Sequence, residues 1–149
     1  GALRQGTVKN SAAVGILLES GIGDTMRLSL TADPIEEVHV AWELLAALGM
    51  RRIKPELVSC PTCGRCGVDM IPIAEEVTKR LDGVRAPISV AVMGCVVNGP
   101  GEAKGVDLGV ACGKGQAVLF ENGNPIRKVP EDKIVDELFT EIENRFGKK

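Results

Sequence analysis

The chain has 149 residues, 44% hydrophobic and 26% charged, the balance of a soluble globular chain able to bury a core. Its formal net charge of −2 lacks the basic excess of a nucleic-acid binder, and aromatics at 3%, with no Tyr, leave no base-stacking platform. No apolar run approaches the ~18 residues of a membrane span, and no N-terminal stretch has the pattern of a secretory leader.

In chain order, Asn10 or Ser11 reads as the cap of a helix carrying Val14, Leu17 and Leu18, stopped by Gly21. Residues 25–30 alternate as a strand. Asp33, Pro34 and Glu36 mark a second helix start, with an N-cap, a proline at the first helical position and a capping box. Val38, Trp42 and Leu45 give that helix an apolar face, and Gly49 ends it. This α-β-α rhythm belongs to parallel α/β structure but is too short to cover a sheet. Residues 1–52 are therefore expected to be the tail of a larger α/β domain, with the basic stretch 51–55 as the boundary.

The remaining residues, 53–149, read as a compact α+β unit. A short strand at 56–59 runs into a cysteine loop, and a helix spans 69–81. A β-branched strand follows at 88–92, then a glycine-rich loop at 95–105. Strands are expected at 106–111, 117–121 and 126–129, with a turn at Asn122-Gly123-Asn124-Pro125. A last helix runs from about 131 to 146.

Five cysteines carry the chemistry. Three fall in Cys60-Pro61-Thr62-Cys63-Gly64-Arg65-Cys66, and Cys95 and Cys112 stand apart. An odd number without a leader speaks against a disulfide framework. Free cysteines often serve as small buried hydrophobes, but three thiols in a Pro/Gly loop do not make a core strand. Cys60 and Cys95 each follow a strand, so adjacent strands bring both loops to one end of the sheet. Structural zinc usually takes two Cys-x-x-Cys knuckles, and the second is missing. The spacing suits an iron–sulfur cluster better, with Cys66 as the fourth thiolate on spacing alone.

The string Cys95-Val96-Val97-Asn98-Gly99-Pro100-Gly101-Glu102, with Ser59-Cys60-Pro61-Thr62-Cys63-Gly64-Arg65, resembles the cluster-binding half of the 4-hydroxy-3-methylbut-2-enyl diphosphate synthase family. Gly23-Asp24-Thr25-Met26-Arg27-Leu28-Ser29-Leu30-Thr31-Ala32-Asp33-Pro34 resembles that family's last barrel strand and the helix start after it. The likeness extends over essentially the whole chain.

The resemblance implies a [4Fe-4S] cluster held by Cys60, Cys63 and Cys95, with Glu102 as an unusual carboxylate ligand to the fourth iron. A harder, weaker oxygen ligand leaves that iron open to substrate oxygen. Cys66 then becomes an extra thiol near the site, and Cys112 a small buried residue. Arg27 and Ser29 match residues that bind the substrate diphosphate, and at i and i+2 of a strand they face one way. Asn98 is a possible hydrogen-bond partner of sulfur or substrate. His39, on a helix beside charged neighbours, is expected to be a surface or partly buried residue rather than a catalyst.

The implied fold is the last α-β-α of a truncated TIM barrel, then an α+β cluster domain resembling the sulfite-reductase type. The implied reaction is reductive opening and dehydration of 2-C-methyl-D-erythritol 2,4-cyclodiphosphate to (E)-4-hydroxy-3-methylbut-2-enyl diphosphate. Ferredoxin or flavodoxin would supply electrons to a cytoplasmic homodimer, with no nucleic acid or membrane involved. Two other readings are a ferredoxin-like electron carrier, which needs no Arg27, and a zinc-binding interaction module.

Overall fold

The computed structural model describes residues 1–97 and 99–147, and of Pro100 the backbone alone. The chain divides into two compact units, Gly1–Ile53 and a second that begins at Lys54.

The first unit is built on two helices, α1 (Leu3–Glu19) and α2 (Pro34–Ala47). Helix α1 begins well before the cap expected at Asn10 or Ser11. Asn10 is a mid-helix residue whose amide donates back to Gly6 O at 2.8 Å. The signal misled because Asn favours caps, but here its side chain is engaged elsewhere. Gly21 closes α1 as expected. It has φ 75°, and Ile22 N–H donates to Leu17 O at 2.9 Å, a Schellman closure. Asp33 caps α2 as read, accepting Ile35 N–H at 3.0 Å. Gly49, with φ 66°, ends it.

The strand expected at 25–30 does not form among the described residues. Residues 26–30 carry no regular secondary structure, and one parallel bridge, Ala2 to Thr31, follows them. Alternation predicts an extended backbone, but a strand needs a partner ladder. Side chains and chain ends supply the missing partners instead. Asn10 bonds Ser29, Glu37 Oε1 accepts Leu30 N–H at 2.8 Å, and Gly1 O accepts Thr31 N–H at 2.8 Å.

The second unit is a five-stranded mixed sheet with helices, an α+β fold. Its strands are β1 (Glu56–Ser59), β2 (Ser89–Met93), β3 (Leu108–Cys112), β4 (Gln116–Glu121) and β5 (Asn124–Pro130), in spatial order 1-2-3-4-5. The first three are parallel and the last two antiparallel. Helix α3 (Met70–Leu81) crosses from β1 to β2, and α5 (Ile134–Phe146) follows a short 3-10 turn after β5. The β4–β5 hairpin turns at Asn122 and Gly123, both with positive φ, as the Asn-Gly pair dictates.

Every residue of β2 and β3 is buried, as central parallel strands require. Side-chain alternation splits them between two cores. Val90, Val92, Leu108, Val110 and Cys112 pack with α3 and α5, and Ala91, Met93 and Ala111 pack with Phe120, Ala103 and Val106 on the other face. The loop expected at 95–105 contains a short helix, α4 (Gly99–Glu102). Its Gly-Pro-Gly string reads as a bend, but one helical turn lets Ala103 bury against the second core.

Candidate metal centre

The three parallel strands end on one side of the sheet, and there the chain leaves β1 and β2 into its two cysteine loops. Cys60 follows the last residue of β1, and its N–H donates to Val92 O at 3.3 Å, prolonging the β1–β2 pairing. Gly94 and Cys95 follow β2 directly.

Gly94 joins the two loops. Its N–H donates to Cys60 Sγ at 3.1 Å, and its carbonyl accepts Gly67 N–H at 2.9 Å. Both ends of the loop from 60 to 67 therefore close on one residue. A Cβ at position 94 would stand 2.5 Å from Cys66 Sγ and 3.3 Å from Cys60 Sγ, so the close approach needs glycine. Within the loop, Cys66 N–H donates to Cys63 O at 3.0 Å, and the Cys66 thiol donates to Val68 O at 3.1 Å.

Cys60, Cys63, Cys95 and Glu102 line a single cavity of ≈130 Å³, and Cys66 lines it with them. Cys63 and Glu102 are exposed at its rim, whereas Cys60, Cys66 and Cys95 are half-buried. All five cysteines are thiols. Thiols and a carboxylate around one small cavity are a donor set that fits an iron–sulfur cluster. A single zinc would need donors meeting ~2.3 Å from one point. Among the described residues no three Cys, His, Asp or Glu side chains stand close enough to hold a metal ion of any kind without rearranging.

Cys112, at the end of β3, is fully buried beneath this end of the sheet. Burial pushes its thiol up to about 12 from an ordinary value of 9.0, with smaller contributions from Cys66, Cys60 and Glu131. It stays protonated and apolar, the small core residue expected.

Arg27 and Ser29 lie exposed in the irregular segment between α1 and α2 of the first unit. His39 is exposed on α2, 3.9 Å from Glu36. Asn98 lies outside the described residues. Sequence reasoning missed Gly94, although a glycine between a strand end and a cysteine was a usable signal. It also missed Asn10 as the partner of Ser29, a contact between residues 19 apart that local pattern does not carry.

Two family models match the chain. The GcpE protein C-terminal domain covers residues 56–144, and the GcpE TIM-barrel domain covers residues 1–42. The chain belongs to the GcpE family. The GcpE C-terminal match takes in the whole sheet and every cavity-lining cysteine. Similar curated relatives are named 4-hydroxy-3-methylbut-2-en-1-yl diphosphate synthase (flavodoxin). The one from Geobacter sulfurreducens is 54% identical over all of this chain and 42% of its own length. The one from Aquifex aeolicus is 55% identical over 94% of this chain and 39% of its own. The one from Bacillus subtilis is 52% identical over 96% and 38%. This GcpE chain thus spans about two fifths of the length of the curated relatives it matches. No helix among its described residues is long and apolar enough to cross a membrane.

Proposed function

We propose that the chain is the cluster-bearing portion of a 4-hydroxy-3-methylbut-2-enyl diphosphate synthase. Cys60, Cys63, Cys95 and Glu102 hold a [4Fe-4S] cluster in the cavity at the ends of β1 and β2. The single observation that carries this reading is the meeting of those four side chains, drawn from two loops 35 residues apart, around one cavity. When bound, such a cluster supplies electrons one at a time and a Lewis-acidic iron.

The chain's own residues do the rest. The three thiols bind as thiolates and release their protons. Glu102, exposed at the rim, would hold the cluster as its weaker, oxygen ligand. Its carboxyl is also the group at that rim that could hold a proton for a departing hydroxyl. Arg27 offers a two-pronged donor to phosphate oxygens and Ser29 a hydroxyl.

The substrate on this reading is 2-C-methyl-D-erythritol 2,4-cyclodiphosphate, reductively opened and dehydrated to (E)-4-hydroxy-3-methylbut-2-enyl diphosphate. The relatives' names support flavodoxin as electron donor, with ferredoxin as the other small carrier of that kind. Residues 1–52 serve as the end of the barrel and 53–149 as the cluster domain of a cytoplasmic homodimer. A reducing compartment suits five unbridged cysteines.

The test is Glu102→Gln in a chain extended to the length of the relatives. Iron content is expected near wild type with turnover at least ~100-fold slower, the scale of losing a positioned acid–base group. Wild-type turnover in that variant removes Glu102 from the reaction.

A further inference from the structure

The cavity presents four thiols and one carboxylate, five donors, whereas the cluster reading uses four. The surplus thiol is Cys66, and its position is specific. Apart from its chain neighbours Met93 and Cys95, the three atoms closest to a Cβ built on Gly94 are Cys66 Sγ, Met70 Cγ and Cys60 Sγ. Cys60 and Cys66 therefore flank the same glycine, Cys60 taking its N–H and Cys66 standing beside the Gly67 N–H bond to its carbonyl. Cys63 is not among those three atoms. Both flanking side chains are half-buried and both pack on the edge of the α3 core.

We propose that Cys66 is a reserve thiolate for the corner of the site that Cys60 holds, able to bind iron there when the Cys60 sulfur is lost. The inference rests on the cluster reading above. The Cys66 thiol is held in the meantime by its hydrogen bond to Val68 O. Taking up the ligand role breaks that bond and the S–H bond, forms one Fe–S bond, and releases the proton to water. Only a side-chain rotation is required, because the backbone at Cys66 is already tied to Cys63 O and its neighbour Gly67 to Gly94 O. A soft thiolate suits that iron better than any other group within reach.

The experiment is anaerobic reconstitution of the 149-residue chain with iron and sulfide, comparing wild type, Cys60→Ala, Cys66→Ala, Cys63→Ala and Cys60→Ala/Cys66→Ala. Alanine is used because a serine oxygen can itself bind iron. Wild type and Cys66→Ala are expected to hold ~4 iron atoms per chain. Cys60→Ala should fall by no more than about twofold, while the double variant and Cys63→Ala should fall by more than about tenfold.

Alkylation followed by mass spectrometry gives a second readout. Cys66 should be labelled in the loaded wild type and protected in loaded Cys60→Ala. Circular dichroism of each unloaded variant separates loss of ligand from loss of fold. If Cys60→Ala loses its iron as completely as the double variant, or Cys66 stays labelled in it, the inference is overturned. Retention by Cys63→Ala equal to that of Cys60→Ala overturns the assignment to the Cys60 corner. A wild-type chain that takes up no iron overturns the cluster reading itself, a result distinguishable from all of these.

Discussion

Asn10 grips the backbone of Ser29 from both sides: its Nδ2–H donates to Ser29 O at 3.1 Å and its Oδ1 accepts Ser29 N–H at 3.3 Å. The carboxamide does what a neighbouring strand does in a ladder, presenting a donor and an acceptor to one residue. Gly6, one turn earlier on α1, gives Leu30 room, since a Cβ there would stand 2.6 Å from Leu30 Cδ2. Asn10→Ala is expected to leave Ser29 to solvent and speed its amide exchange about tenfold, the worth of roughly one such bond. Exchange measured by nuclear magnetic resonance checks this, and an unchanged Ser29 rate would show that the side chain holds nothing.

Gly94 sets the spacing between the thiols of the first loop. Gly94→Ala forces a methyl against Cys66 Sγ and Cys60 Sγ, and flexible sulfurs yield more easily than the buried sheet. The variant should fold with a normal circular dichroism spectrum but bind several-fold less iron on reconstitution. Full iron content would mean that the thiol positions tolerate more displacement than the cavity suggests.

The entry to β2 and the approach to β3 are tied by a closed polar loop remote from the cysteines. Asp107 Oδ2 accepts Ser89 N–H at 2.7 Å and Ser89 Oγ–H at 2.9 Å, and Asp107 N–H donates back to Ser89 Oγ at 3.0 Å. Ser89 is the one buried polar residue among those described. Asp107→Ala leaves its N–H and hydroxyl without that carboxylate, at a cost of about 1–3 kcal/mol. Urea unfolding measures it, with a lower midpoint and an unchanged slope expected.

Cys112 gives a pH test. Burial raises its folded-state pKa to about 12, while in the unfolded chain it returns toward 9.0. Between these values the folded state holds a proton that the unfolded state has lost. Stability from this group is complete below pH 9 and declines as pH rises through that window. Cys112→Ala should flatten the alkaline decline. At pH 8.5 the folded chain should leave Cys112 unalkylated while exposed Cys63 reacts.

How far sequence served differs between the two units. In the second, strong local signals sufficed. The strand at 56–59 lies where pattern placed it, and the turn tightens to Asn122 and Gly123 because Asn124 and Pro125 join β5. Strands β2, β3 and β4 and helix α3 shift by a residue or two. The last helix starts three residues late behind a 3-10 turn, and α4 stands where pattern predicts loop. The cysteine loops converge because β1 and β2 run parallel, a consequence of the strand–helix–strand order. In the first unit the same rules failed at residues 25–30, where the partners are a side chain from α1 and another from α2. Asn10 misled for a related reason, since a residue type suited to capping is spent on a distant backbone. Cys66 shows the limit at the site. Spacing offers it as a ligand and family likeness sets it aside, but only the packing around Gly94 shows that it flanks the same glycine as Cys60.

The most direct test of the account is iron and acid-labile sulfide per chain after anaerobic reconstitution, read together with the Mössbauer spectrum. The account predicts ~4 of each, one iron site distinct from the other three because Glu102 rather than a thiolate holds it, and near-complete loss in Cys95→Ala. A colourless chain carrying one tetrahedral zinc, or a cluster that survives in Cys95→Ala, would contradict it.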